Sequence, residues 1–173
     1  VLSFATDCTD SVCEKVSFIP TTRVFLLFTG KVGFFMHLPA NSGVYFIGIG
    51  GISMSSLALI LKRRGFRVAG YDFKPSETTR FLQQNGIPVY DTYAPEHQDG
   101  YDTVVFTAAI AETDPELVYA KARGAVLLSR AELLGALVAD YPHSIGIAGT
   151  HGKSTTTGML AHIFAHSDTD ATI

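Results

Sequence analysis

Cysteine, charge and long apolar runs are all scarce in this chain, and each scarcity removes a class of protein. Only two of the 173 residues are cysteines, Cys8 and Cys13. A single C-x4-C pair without a second is a weak case for a metal framework, and two neighbouring thiols make no disulfide scaffold. Charged residues account for 17% and leave a formal net charge of −3, so the basic stripe expected of a nucleic-acid binder is missing. The most apolar stretch, "RVFLLFTGKVGFFMHL" (23–38), is interrupted by Gly30, Lys31 and Gly33, whereas spanning a bilayer takes about 20 apolar residues. A secretory leader begins basic, yet Asp7, Asp10 and Glu14 precede this run. These absences point to a cytoplasmic protein that partners neither nucleic acid nor membrane.

What the chain does have is apolar material, 47% of it, enough for one sizeable core. Residues 1–42 show no clean period. The first residue is Val1, and Met36 stands just before "HLPANSGVYFIGIGG", where organised sequence begins. Residues 1–42 are therefore expected to be an irregular N-terminal extension outside the fold, belonging to a fragment or to an upstream-extended reading frame that is not native.

From residue 43 the pattern is regular. "GVYFIGIG", "FRVAGYD", "DTVVFTAAI", "AVLL" and "HSIGIAGT" read as strands, the first and third of them as buried ones, and the first is rich in aromatic and branched residues. Between them lie helices with start and stop signals. "ISMSSLALILKRRG" carries Leu57, Ile60 and Leu61 on one face and stops at Gly65. "SETTRFLQQNG" starts at Ser76 and exits at Gly86, and "DPELVYAKARG" has Asp114 as cap and Pro115 in its first turn. "SRAELLGALVADY" opens with a Ser129–Glu132 capping box. Strands alternating with helices at this spacing predict an α/β fold: a Rossmann-like parallel sheet with helices on both faces. The expected division is 43–142 as that domain and 143–173 as the beginning of a second, P-loop ATPase domain.

Two glycine clusters carry the chemistry. "GIGGIS" places Gly48, Gly50 and Gly51 between a strand and a helix, where backbone amides attract a diphosphate and glycine lets the backbone come close. Asp72 ends the second strand about 20 residues on, where a ribose-binding acid is expected. The strict G-x-G-x-x-G fingerprint fails because Ser53 takes the third glycine's place, which disfavours ordinary NAD binding; the bland alternative is a tight turn with no ligand. The second cluster is "GTHGKST", Gly149 to Thr155. Thr150, His151 and Gly152 present amides, Lys153 offers a charge to phosphates, and Ser154 offers a hydroxyl to Mg²⁺. Ile147 stands where the full P-loop pattern wants its first glycine, so the loop is a shorter variant.

With "VYFIGIGGISMSSLALIL", "VVFTAAI", "LSRAELLGAL" and "GIAGTHGKSTTT" in this order, residues 43 to about 165 resemble the Mur ligase family. The resemblance implies three domains: a UDP-sugar domain, a central ATPase domain and a C-terminal domain that closes on the amino acid. On this reading the chain is truncated, holding the first domain and the opening of the second, and is inactive alone. The implied activity is ATP-dependent joining of L-alanine to the lactyl carboxylate of UDP-N-acetylmuramate through an acyl phosphate, in peptidoglycan synthesis, with ATP and Mg²⁺ required. Gly48, Gly50, Gly51, Ile52, Ser53 and Asp72 map to the UDP diphosphate region, Thr107, Ala108, Ala109 and Ile110 to a loop near the UDP-sugar, and Ser129 and Arg130 to a helix start flanking it. Gly149, Thr150, His151, Gly152, Lys153, Ser154 and Thr155 map to the ATP loop, with Lys153 catalytic and Ser154 the metal ligand. Ser53 and Ser56 depart from the family's usual glycines.

Other features read as structure. His162 and His166 are four apart on a helix, but without a third ligand they are expected to be a packed or solvated pair. Met54, Leu57 and Met159 are expected in the core. Two alternatives remain beside the alanine-adding ligase: a sister ligase that recycles a muramyl tripeptide, and a non-catalytic UDP-sugar or dinucleotide-binding module.

Overall fold

Val44 and Phe46 turn to one side of their strand, and Tyr45 and Ile47 to the other; all four are fully buried. A strand apolar on both sides belongs at the centre of a sheet covered on both faces. A computed structural model describes residues 42–141 and 143–167, together with the backbone of β1 (Lys15–Phe18) and β2 (Val24–Phe28). The chain continues through β3 (Gly43–Ile47), α1 (Ile52–Arg63), β4 (Arg67–Tyr71), α2 (Glu77–Gln84), β5 (Val89–Tyr90), a 3-10 turn (Pro95–Gln98) and β6 (Thr103–Phe106). It ends with α3 (Pro115–Ala122), β7 (Val126–Ser129), α4 (Arg130–Ala139), β8 (Ile145–Gly149) and α5 (Lys153–Ala165).

Five strands form one parallel sheet in the order β5-β4-β3-β6-β7. From β3 the chain moves outward through β4 and β5, then returns to pair β6 on the other edge of β3. This reversal is the switch point at which open parallel sheets leave a crevice beyond their carboxyl ends. One face packs Val44, Phe46, Val68, Val105 and Leu128 under α1, α2 and α4; the other packs Tyr45, Ile47, Ala69 and Val104 under α3. The expected Rossmann-like α/β sheet is what forms.

The helix signals read from sequence are largely realised. Ser76 accepts from Thr79 N–H to open α2, Asp114 accepts from Glu116 and Leu117 N–H to open α3, and Pro115 stands in its first turn. Ser129 and Glu132 form their reciprocal box, with Ser129 N–H donating to Glu132 at 2.7 Å. The Ser129 main-chain N–H, and after it the Ser129 side chain, hold the Glu132 carboxyl below its ordinary range. Met54 and Leu57 are core residues, as expected. Met159 is not: it is 62% exposed, and no residue of α5 is buried. Helical spacing names a face, and only a neighbouring surface turns that face into core.

Two differences concern strands. β5 is only two residues long and too short to show a period, yet it closes one edge of the sheet. In the stretch expected to be irregular, β1 and β2 pair antiparallel, and β2 pairs antiparallel with β8 in a separate three-stranded sheet. "VFLLF" in β2 is an unbroken run of branched and aromatic residues, a composition that favours extended backbone. By its contacts the chain divides into two compact units, one of residues 35–137 and the other of 1–34 with 138–173. Cys8 and Cys13 lie outside the described residues. Among the described residues no helix is long and apolar enough to cross a membrane.

Gly70 of β4 pairs with Phe46 of β3 and lies against Ile49 of the turn that follows. A Cβ added there would stand 2.6 Å from the Phe46 carbonyl oxygen and 2.8 Å from Ile49 Cδ1. Gly70→Ala is expected to lower stability by about 1–3 kcal/mol through overpacking, read as a drop in the urea midpoint without a change in slope.

Candidate functional site

The loop after β3 is fixed by its own hydrogen bonds. Gly48 and Ile49 N–H both donate to the Tyr71 carbonyl, at 2.8 and 3.1 Å, and Gly51 N–H donates back to Gly48 O at 3.3 Å. Gly50 N–H donates to Asp72 Oδ2 at 2.8 Å, while Lys74 N–H donates to Asp72 Oδ1 at 3.1 Å. Gly48 has a φ of 78°, a left-handed value that glycine adopts without strain. At Gly50 the requirement is space: a Cβ would lie 2.7 Å from Asp72 Oδ2 and 3.0 Å from Thr79 Cγ2.

The amides of residues 48–51 are thus already used within the protein. The groups left to face a ligand are those of the first turn of α1, which begins at Ile52 after the N-cap Gly51. No side chain caps this helix and no acid stands in its first turn, so its free N–H groups and dipole present positive potential to an anion. Asp72, expected to contact substrate, has both carboxylate oxygens engaged by backbone amides and serves as the brace of the loop. Sequence reasoning missed Tyr71 and Lys74, which act here through main-chain atoms and so leave no side-chain signature.

Two further loops meet this one at the carboxyl edge of the sheet. Thr107 Cγ2 and Ile110 Cδ1 come within 3.8 and 4.0 Å of the space beside Gly48. Their loop is shaped by Thr107, whose hydroxyl accepts from Ala109 N–H at 2.9 Å and whose carbonyl accepts from Ile110 N–H at 3.1 Å. Ala108 and Ala109 lie exposed at its tip. From β7, Ser129 opens α4 and Arg130 Nη1 donates to Ser53 Oγ at 3.2 Å. Ser55 and Ser56 instead turn their hydroxyls back onto the Ile52 carbonyl, at 2.9 and 3.0 Å. Of the three serines, Ser53 is the one bonded to another element, and it ties a guanidinium to the open end of α1.

Gly152, the N-cap of α5, has a φ of 79°. Lys153 Nζ curls back over the loop and donates to the Gly149 carbonyl at 2.6 Å and to the Thr150 carbonyl at 3.4 Å. His151 Nδ1 lies 3.3 Å from Thr150 Oγ1. Residues 150–155 are exposed, and the first turn of α5 carries neither a side-chain cap nor an acid. The donors suit a phosphate: a lysine, uncapped amides and the Ser154 and Thr155 hydroxyls. At the far end of α5, His166 Nδ1 donates to the His162 carbonyl at 2.8 Å, so this ring is occupied in ending the helix. Among the described residues no group of three His, Cys, Asp or Glu could hold a metal ion.

The sheet order and the loops gathered at its carboxyl edge define a Rossmann-like α/β domain. Residues 43–142 match the Mur ligase family, catalytic domain. The chain belongs to the Mur ligase family. It is 48% identical over 129 residues to the UDP-N-acetylmuramate–L-alanine ligase of Caldicellulosiruptor bescii, covering 75% of this chain and 28% of that one. The chain thus spans a little over a quarter of the length of that curated relative. Among solved structures it is similar to the UDP-N-acetylmuramate–alanine ligase of Thermotoga maritima, with a TM-score of 0.62 and 28% identity over 72% of this chain and 29% of that one. It is also similar to a murein peptide ligase of Psychrobacter arcticus, with a TM-score of 0.61 and 30% identity over 72% and 26%.

Gly50 and Asp72 share one contact, so their loss is expected to be less than additive. Gly50→Ala and Asp72→Ala should each cost about 1–3 kcal/mol, and the double variant clearly less than the sum. Urea denaturation of the four proteins measures this.

Proposed function

We propose that this chain is the substrate-binding part of a cytoplasmic ligase that joins L-alanine to UDP-N-acetylmuramate in peptidoglycan synthesis. The observation that carries the proposal is the meeting of the Gly48–Ser53 loop, Thr107–Ile110 and Arg130 at one edge of the sheet. In this reading residues 43–142 hold the UDP-sugar, and residues 143–173 begin an ATP-binding domain. The diphosphate lies against the first turn of α1, at Ile52 and Ser53, with Arg130 as its cation. Gly48, Gly50 and Gly51 shape the approach, Asp72 braces them, and Ser129 sets the start of α4. Thr107, Ala108, Ala109 and Ile110 line the sugar side.

ATP would supply the phosphoryl group that turns the lactyl carboxylate into an acyl phosphate, which the alanine amine then attacks. Gly149 to Thr155 would hold its phosphates: the loop and helix amides orient them, Lys153 neutralises charge on the transferred group, and the Ser154 hydroxyl is a Mg²⁺ ligand. The 48% identity to an L-alanine ligase supports this substrate assignment. The sister reading, attachment of a preformed peptide, is favoured by the similarity to the Psychrobacter arcticus murein peptide ligase. In a protein extended to the length of the relatives, phosphate release in the presence of UDP-N-acetylmuramate with L-alanine, against the same with the free tripeptide L-alanyl-γ-D-glutamyl-meso-diaminopimelate, separates the two.

The binding reading is tested on this chain directly. UDP-N-acetylmuramate is expected to shift amide resonances of residues 48–53 and 107–110 and to bind more tightly than NAD; tighter NAD binding would reverse the assignment. Arg130→Ala should weaken UDP-sugar binding about tenfold or more, as loss of a hydrogen bond to a charged group. Ser53→Ala should weaken it less, and not at all once Arg130 is gone.

The ATP loop requires a protein extended to the length of the relatives. There Lys153→Ala is expected to slow phosphate release on the order of 10³-fold. UDP-sugar binding should be nearly unchanged. A near wild-type rate would remove this loop from the mechanism.

A further inference from the structure

On the face of the sheet that packs under α3, three polar side chains are buried together, with no cation beside them among the described residues. Glu116 in the first turn of α3 is 1% exposed, and Tyr45 of β3 and Gln98 of the 3-10 turn are completely buried. Gln98 Nε2 donates to the Glu116 main-chain carbonyl at 2.9 Å and to the Glu116 carboxyl through Oε2. A main-chain carbonyl can only accept, so this contact fixes which end of the Gln98 amide faces α3. The Tyr45 hydroxyl stands beside the Glu116 carboxyl, short of a formed hydrogen bond. Tyr45 OH, Glu116 Oε1 and Gln98 Oε1 are all buried and unpartnered among the described atoms.

Counting donors and acceptors decides the charge. Both Gln98 N–H groups are spent on Glu116. If Glu116 is ionised, the one remaining proton, on Tyr45, must serve both Glu116 Oε1 and Gln98 Oε1. The titratable groups acting on the cluster are Tyr45 of β3, Tyr71 of β4 and Asp114 at the cap of α3, with Tyr90 of β5 and Tyr101 before β6 acting on Tyr45; among the described residues none of these is a cation. An ionised carboxylate buried without a counter-charge is costly, and such a group takes up a proton instead. We infer that Glu116 is a neutral carboxylic acid in the folded chain, and that its proton is the missing donor of a latch joining β3, the 3-10 turn and α3. The latch sits below the site: β3 leads into the Gly48 loop, and α3 follows the Thr107–Ile110 loop. The inference rests on the fold and stands whether or not the ligase reading does.

Burial, followed by repulsion from Asp114, pushes the Glu116 carboxyl up, against the opposing hydrogen bond from Gln98 and the nearby Tyr45 hydroxyl. A raised folded-state value means that this stability is fully present below the ordinary glutamate value of 4.5 and is lost as pH climbs through the folded-state value. In denaturation at a series of pH values, the unfolding constant should gain a component rising up to about tenfold per pH unit between 4.5 and the folded-state value and levelling off above it, the signature of one proton. Glu116→Gln keeps the shape, adds neutral donors and should remove this component. Infrared spectroscopy of the unaltered chain offers a second reading. At neutral pH one protonated-carboxyl band should stand out from the 16 acidic residues and be absent in Glu116→Gln. A Glu116→Gln protein with the wild-type pH slope, one that fails to fold at any pH, or a wild-type spectrum without the band would each overturn the inference.

Discussion

The candidate site depends on one hydrogen bond, from the Gly50 amide to the Asp72 carboxylate. It joins the ends of the two central strands and draws the glycine loop down onto β4. Without it the loop would have a free amide and room to flex, and the start of α1 would no longer be fixed relative to Thr107 and Ile110. The bond also explains a composition that otherwise looks only permissive. Gly50 lacks a side chain because Asp72 and Thr79 occupy that volume, and Gly48 is left-handed because the chain must turn back at once toward Tyr71. A negative charge is spent on geometry here, and this leaves the open end of α1 as the electropositive feature of the edge.

Around that brace the domain is assembled from short elements that carry their own termini. α2 and α3 are only eight residues long, and helices of that length are marginal in isolation. Each begins with a side chain that satisfies first-turn amides, and each is held by a few buried residues, Leu82 in α2 and Leu117 and Ala120 in α3. α1 is the exception at its start, since its cap is a bare glycine. An uncapped helix end in a well-capped domain leaves amide donors open at the carboxyl edge of the sheet.

Much of this was legible from residues alone. Ser76, Asp114, Pro115 and the Ser129–Glu132 box announce helix starts through local chemistry that tertiary packing does not alter. The buried strands were legible because β3 and β6 are apolar on both faces. What sequence could not supply were the facts that depend on a neighbour. Tyr71 takes part through its carbonyl, Asp72 faces inward to Gly50, and Ser53, read as a flaw in a glycine pattern, is the acceptor for Arg130. Met159 failed as a core prediction for the same reason: its helix has an apolar face, and among the described residues nothing buries it. β5 escaped because two residues have no period.

The position of β3 between β4 and β6 has a consequence for how the chain comes into being. β4 follows β3 closely, but β6 begins only at Thr103, after two further strands have been made. Until then the apolar strand from Val44 to Ile47 keeps one hydrogen-bonding edge open, the kind of edge on which chains associate with one another. On a ribosome adding about 5–20 residues per second, the wait for β6 lasts for seconds. The order of the strands therefore makes the time between the synthesis of β4 and that of β6 the interval in which this domain is most exposed to misassembly.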